Sequence, residues 1–180
     1  DTQMKAIVNY EYGSPDVLKL EEVEKPTPTE NQLLIKVYAA SLNRSDWEAL
    51  TGTPLYARIG GLFKPGNKTL GSDIAGIVEA VGKDVKQFKP GDEVFGLMMN
   101  YGGGFAEYAC KSERALALKP VSMTFEEAAS IPQAAFIALQ GIRDKGQVQP
   151  GQKVLINGAG GGAGTFAIQL AKLAGAEVTG

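Results

Sequence analysis

Histidine is absent from this sequence, and that absence removes more chemistry than any other feature. Ser-His-Asp and Cys-His catalysis, His-ligated zinc and His-anchored haem all need an imidazole. Cysteine is nearly absent too. Cys110 stands alone, which excludes an internal disulfide framework and any four-thiolate metal site, and suits a reducing compartment. A dominant charge is also missing: 18 Lys and Arg face 20 Asp and Glu, a net of −2. With no basic stripe to track a phosphate backbone, nucleic acid is not expected as a partner. No uninterrupted apolar run approaches the roughly 18 residues that span a bilayer. The opening DTQMKAIV has neither the charged region nor the apolar core of a signal peptide. A cytoplasmic protein without membrane association is the expectation.

Glycine, by contrast, is abundant: 23 in 180 residues, against a usual share of about 7%. Most of it punctuates short strands. Met4–Asn9 and Val17–Glu24 alternate apolar with polar residues, as half-buried strands do. Gln32–Ala40 reads as a more fully buried strand, Ser45–Leu50 as a helical turn, and Ile74–Val81 as a further strand closed by Gly82. Pro90–Gly91 turns into Glu93–Leu97, and Gly102–Gly104 leads into Phe105–Cys110. Such close spacing suggests a β-barrel or a sandwich.

The texture changes after Pro120. Thr124 and Glu127 have capping-box spacing ahead of an Ala-rich helix to Ser130, and a second helix is predicted from Gln133 to about Arg143. Lys153–Asn157 is an apolar run typical of a strand covered on both faces. A glycine loop, a helix over Thr165–Leu173 and a strand opening at Glu177 follow, which is the β–loop–α–β start of a parallel α/β sheet.

The loop, KVLINGAGGGAG over Lys153–Gly164, has the context that gives a glycine string meaning, between a strand and a helix. There, backbone N–H groups and the positive helix end face an anion such as a pyrophosphate. Counting back from Gly164 as the helix-packing glycine puts Ala159 where a first glycine is usual. Ala159, Gly160, Gly161, Gly162, Ala163 and Gly164 are the candidate cofactor-binding residues. The acidic residue that binds ribose about 20 positions on would fall at or beyond Gly180, so the choice between NADPH and NADH stays open.

MKAIV, AASLNRSDW (Ala39–Trp47), LGSDIAGIVEAVG (Leu70–Gly82), FKPGDEVFG (Phe88–Gly96), GGFAEYA (Gly103–Ala109), PQAAFIALQGI (Pro132–Ile142) and the glycine loop occur in one order. In that order they resemble the zinc-independent quinone oxidoreductase branch of the medium-chain dehydrogenase/reductase superfamily. The resemblance implies a mixed α/β fold: a GroES-like β-barrel catalytic domain over 1–122, then the beginning of a Rossmann doubly wound parallel sheet over 123–180. It places the active site in the cleft between them. Zinc-dependent members have Cys where this chain has Asn43 and His-Glu where it has Ser72-Asp73, so no metal is expected.

Under the resemblance, substrate activation falls to the polar groups of Asn43–Asp46. Asn43 is a candidate amide donor to a developing oxyanion, and Ser45 stands where relatives keep a hydroxyl relay. Asp46 either orients its neighbours or caps the following turn. Arg44 is a candidate contact to a cofactor phosphate, or a solvated charge. Trp47, Tyr56 and Phe105 are candidate apolar walls, and Tyr56 also a candidate proton donor. Many relatives have Thr near the nicotinamide where Ile137 stands. Cys110 reads as a packed thiol. The activity implied is NADPH-dependent hydride transfer to a small-molecule quinone or α,β-unsaturated carbonyl, NADH not being excluded, in a possible homodimer. An enoyl or alkenal reductase and a non-catalytic GroES-like structural module are the alternatives. A Rossmann sheet would need further strands, so the 180 residues are expected to belong to a longer enzyme and to hold NADPH weakly or not at all by themselves.

Overall fold

The computed structural model describes residues 2–98 and 103–180. The Gly102 end of the expected Gly102–Gly104 turn lies outside the described residues. The fold is mixed α/β and divides into two compact units, Asp1–Ser130 and Ile131–Gly180.

In the first unit, β3 (Gln32–Ser41) and β4 (Asp73–Val81) form the centre of an antiparallel sheet. β5 (Glu93–Leu97), β6 (Tyr108–Ser112) and β7 (Leu116–Leu118) complete it in the order β6-β3-β4-β5-β7. One face of these strands supplies Leu33, Ile35, Ile74, Val78, Val94 and Ala109, which pack with Phe88 and Met98 into the main core. On the other face Ala75 meets Ala128 and Ala129 of α2 (Phe125–Ala129). Small residues on both sides let helix and sheet approach closely, so β4 is buried on both faces.

β1 (Gln3–Val8) and β2 (Lys19–Glu24) form a separate antiparallel ribbon. It docks beside β6 through Ile7 N–H to the Phe105 carbonyl, 2.9 Å, and Glu107 N–H to the Lys5 carbonyl, 3.0 Å. This pairing explains why β6 begins at Tyr108 rather than at Phe105: residues 105–107 belong to the seam with β1. The expected strand from Val17 likewise starts late, because Pro15–Val17 forms a 3-10 turn. The short β7 was not anticipated.

α2 starts as its sequence predicts. Glu127 N–H donates to Thr124 Oγ1 (3.1 Å) and Thr124 N–H to a Glu127 carboxylate oxygen (2.9 Å). The helix packs with the first unit, so the compact units divide at Ser130/Ile131, eight residues beyond the expected 122/123 boundary. Lys119 reinforces the attachment, pairing with Glu93 at 2.9 Å and donating to the Met123 carbonyl at 2.6 Å.

The second unit is a β-α-β motif. β8 (Lys153–Leu155) and β9 (Glu177–Thr179) pair in parallel, with Val154 opposite Val178, and α4 (Gly162–Leu173) connects them. The ladder runs one step past β8, since Ile156 N–H donates to the Thr179 carbonyl at 2.8 Å. α3 (Pro132–Leu139) lies against α4. The expected continuation of α3 to Arg143 winds instead as a π-helical turn over Gln140–Lys145. Gly141 sits inside that turn and Gly146 follows it, where α-helical propensity is lowest. No helix of the described residues is long and apolar enough to cross a membrane.

Candidate active site and glycine loop

Asn43, Ser72 and Asp73, distant in sequence, meet at the entrance to α1 (Arg44–Thr51) and the start of β4. The Asn43 Nδ2 amide donates to Ser72 Oγ at 2.9 Å and to Asp73 Oδ2 at 3.0 Å, with Ser41 Oγ at 3.4 Å. Ser72 Oγ in turn donates to Asp46 Oδ2, 2.9 Å. Asp46 also accepts the Asn43 N–H (2.8 Å) and the Gly71 N–H (3.1 Å). Asp46, Ser72 and Asp73 are all buried. A buried carboxylate is tolerable only when hydrogen-bonded, and Asp46 gathers three donors.

Asn43 therefore occupies the N-cap of α1 and Asp46 the third helical position. Asp46 takes part in capping as the third-position member of a capping box whose N-cap is Asn43, and it also holds its neighbours Ser72 and Gly71. The two amide hydrogens of Asn43 point into the network, which makes this side chain a brace within the structure. Ser45 is half-buried in the first turn of α1.

A zinc ion does not fit this donor set. Its positions hold an amide and a hydroxyl already hydrogen-bonded to each other, where zinc favours thiolate and imidazole. Among the described residues no group of three or more His, Cys, Asp or Glu is placed to hold a metal.

One turn further along α1, Glu48 bridges two of the candidate residues. It pairs with Arg44 Nε at 3.1 Å and accepts the Tyr56 hydroxyl at 2.8 Å. These partners, Tyr56 first and Arg44 second, hold the Glu48 carboxyl below its usual range. Arg44 remains 78% exposed, so its guanidinium stays accessible to an anion. Sequence reasoning missed Glu48, although its i,i+4 spacing from Arg44 was the available signal. Trp47 and Tyr56 are exposed, whereas Phe105 packs against Ala49, Leu50 and Leu70 in a core cluster. Ile137 is exposed on α3.

In the second unit the glycine loop turns at Gly158, whose φ of +79° lies in the left-handed region. The turn glycine thus precedes Ala159 by one residue; being the first glycine after the strand was its signal. Gly161 N–H closes the turn on the Gly158 carbonyl at 3.0 Å, and Gly161 is the N-cap of α4. Gly164 packs the helix onto the loop: a Cβ there would overlap the Gly158 carbonyl oxygen and come within 2.8 Å of Ala159 backbone carbons. Gly160 faces open space, and Gly162 has only Ala134 within reach, 3.7 Å from an added Cβ. The first-turn amides of Gly162, Ala163 and Gly164 lie at the positive end of a three-turn helix. A dinucleotide pyrophosphate fits such a cradle.

The family described as the alcohol dehydrogenase GroES-like domain matches residues 29–121. Human quinone oxidoreductase is 37% identical over 179 residues, covering 98% of this chain and 52% of its own length. A 2-methylene-furan-3-one reductase from Solanum lycopersicum is 40% identical over 183 residues, covering 95% of this chain and 45% of its own. The solved quinone oxidoreductase from Coxiella burnetii superposes with a TM-score of 0.88 at 38% identity, over 98% of this chain and 55% of that one. This chain spans about half the length of the relatives it matches. With the family match across the central sheet, the chain belongs to the alcohol dehydrogenase GroES-like domain family, and it is similar over nearly its whole length to quinone oxidoreductases.

Proposed function

We propose that the protein transfers hydride from a nicotinamide dinucleotide, NADPH before NADH, to a small quinone or α,β-unsaturated carbonyl without zinc. The observation that carries this reading is the glycine loop, where Gly158 turns, Gly164 packs and Gly160 leaves the backbone uncovered. In this reading the pyrophosphate lies over Ala159–Gly164, with Gly161 and Gly162 closest. The dinucleotide, when bound, supplies the hydride; the protein's task is to position the acceptor and meet the charge that develops on its oxygen.

The residues of α1 divide that task. Asn43 and Asp46 are spent on each other and on Ser72, so they brace the helix entrance. Ser45, on the first turn so braced, is the proposed hydroxyl facing the acceptor. Tyr56 donates its hydroxyl to Glu48, so it presents an oriented phenol; the proton it offers is available to the acceptor only if that bond is exchanged. Arg44 retains the exposure an anion contact requires. The catalytic role of the first unit and the nucleotide-binding role of the second are part of the same proposal.

Fluorescence titration with NADPH and NADH, for the full-length parent and a full-length Gly161→Val variant, tests the loop. An added side chain at Gly161 begins 3.3 Å from the Gly158 carbonyl oxygen and obstructs the approach. Unchanged affinity in the variant would refute the placement, and no binding of either dinucleotide by the parent would refute the function. An alkenal or enoyl reductase is the second reading, favoured by the identity with the tomato 2-methylene-furan-3-one reductase. Steady-state rates on a panel of quinones and enones decide between the two.

A further inference from the structure

The hydroxyl of Ser72 carries one proton and sits at a junction. It receives the Asn43 amide at 2.9 Å and gives its own hydrogen to Asp46 at 2.9 Å. Ser72 is only 2% exposed, so no solvent substitutes for either partner. Its backbone is fixed as well, since its carbonyl accepts the Met98 N–H at 2.5 Å, and the neighbouring Gly71 N–H donates to Asp46. The polarity therefore runs in one direction, from the Asn43 amide through the Ser72 hydroxyl to the Asp46 carboxylate. The two ends of this relay are the N-cap and the third residue of α1. Between them lie Arg44 and Ser45, the two side chains to which the proposed chemistry assigns contacts with anion and acceptor.

We propose that Ser72 is a positioning residue: its hydroxyl clamps the first turn of α1 to the start of β4 and sets the orientation in which Ser45 and Arg44 work. The claim rests on the hydride-transfer reading above. An apolar residue at 72 would take from the half-buried Asn43 amide its 2.9 Å acceptor, leaving Asp73 and the more distant Ser41, and would leave the buried Asp46 carboxylate one donor short. The helix entrance would then rotate or take in water to recover those bonds. Catalysis tolerates little of that, since about 1 Å of misplacement costs on the order of 100-fold in rate.

The chain contains a single tryptophan, Trp47, which directly follows Asp46 on α1 and reports the geometry of this turn. The experiment compares Ser72→Ala, Ser72→Cys and Ser72→Thr in the complete protein, with a Trp47→Phe control to isolate the Trp47 signal. Expected for Ser72→Ala is a fall in kcat of about 10- to 100-fold, KM for the acceptor within about twofold, and a shifted Trp47 emission maximum. Ser72→Cys, close in volume but a weak donor, should fall between Ala and parent, and Ser72→Thr should recover most of the rate. If Ser72→Ala does not fold, the Cys and Thr pair decides by the same order. Equal kcat across the series, or a loss confined to melting temperature with Trp47 emission unchanged, overturns the proposal. A parent that oxidises neither NADPH nor NADH with any acceptor is a different result: it overturns the hydride-transfer reading itself.

Discussion

A side chain's chemistry here depends on which of its atoms are already engaged, and the two ends of that range are Asp46 and Cys110. Asp46 accepts from the Asn43 and Gly71 amides and from Ser72 Oγ within a buried site. Replacing it with Ala strands these donors, and hydrogen bonds to charged groups are worth about 1.5–3 kcal/mol each. Asp46→Ala should therefore lower stability by about 3 kcal/mol or more, measured by denaturant unfolding; a loss within about 0.5 kcal/mol, typical of surface changes, would contradict the network. Cys110, on β6 opposite Leu34, has no such partners among the described residues. Burial alone pushes its thiol from 9.0 up to about 11. A thiolate is the reactive form, so alkylation by iodoacetamide should be slow at pH 7–8 and accelerate only as pH approaches 11. The linkage has a definite sign. Because the folded thiol holds its proton more tightly than the unfolded one, its contribution to stability is complete below about pH 9 and lost as pH rises toward 11.

Among the elements, the glycine loop shows how differently glycines in one motif behave. Gly164→Ala places a methyl on the Gly158 carbonyl, and such overpacking costs about 1–3 kcal/mol. Gly160→Ala meets nothing within 4 Å and should leave stability nearly unchanged. Thermal melts of the two variants check this, and equal melting temperatures would refute the packing described for Gly164. The strand, loop, helix and strand of this unit were legible in the sequence because each is specified locally, by an apolar run, a glycine cluster and a helical period. The Thr124–Glu127 box was legible for the same reason. Local pattern could not show that Phe105–Glu107 belongs to a seam with β1, since that is settled by the Lys5 and Ile7 partners a hundred residues away. It also could not show that Ser72 reaches Asn43 and Asp46, or that Glu48 holds Tyr56. Resemblance singled out Asn43, Ser45 and Asp46 as a group; only the fold reveals that Asn43 and Asp46 engage each other and that Ser72 joins them.

At the scale of the whole molecule, the two units differ in how thoroughly they bury apolar surface. The first has a continuous core in which Leu33, Ile35, Ile74 and Val94, spread over three strands of one sheet, are 0% exposed. In the second, Ala138 and Ala171 are the buried apolar residues besides Pro132, and the strands pair only with each other. Leu155 on β8 is 75% exposed and Leu173 at the end of α4 is 84% exposed. Burial stabilises by roughly 25 cal/mol per Å2 of apolar surface, so the second unit has much less to offset the entropy of ordering its backbone. Regions with few buried contacts open locally at lower free energy than the core. In these 180 residues, hydrogen exchange should therefore release the amides of Val154, Ile156 and Val178 well before those of Ile35, Ile74 and Val78. A dinucleotide bound over Ala159–Gly164 joins the strand end to the helix start, so in the full-length protein NADPH should slow exchange at Ile156 and along the first turn of α4 while leaving β3 and β4 unchanged. Equal protection of the two sets without ligand would contradict the difference in burial; an NADPH effect confined to residues outside the loop would contradict its placement there.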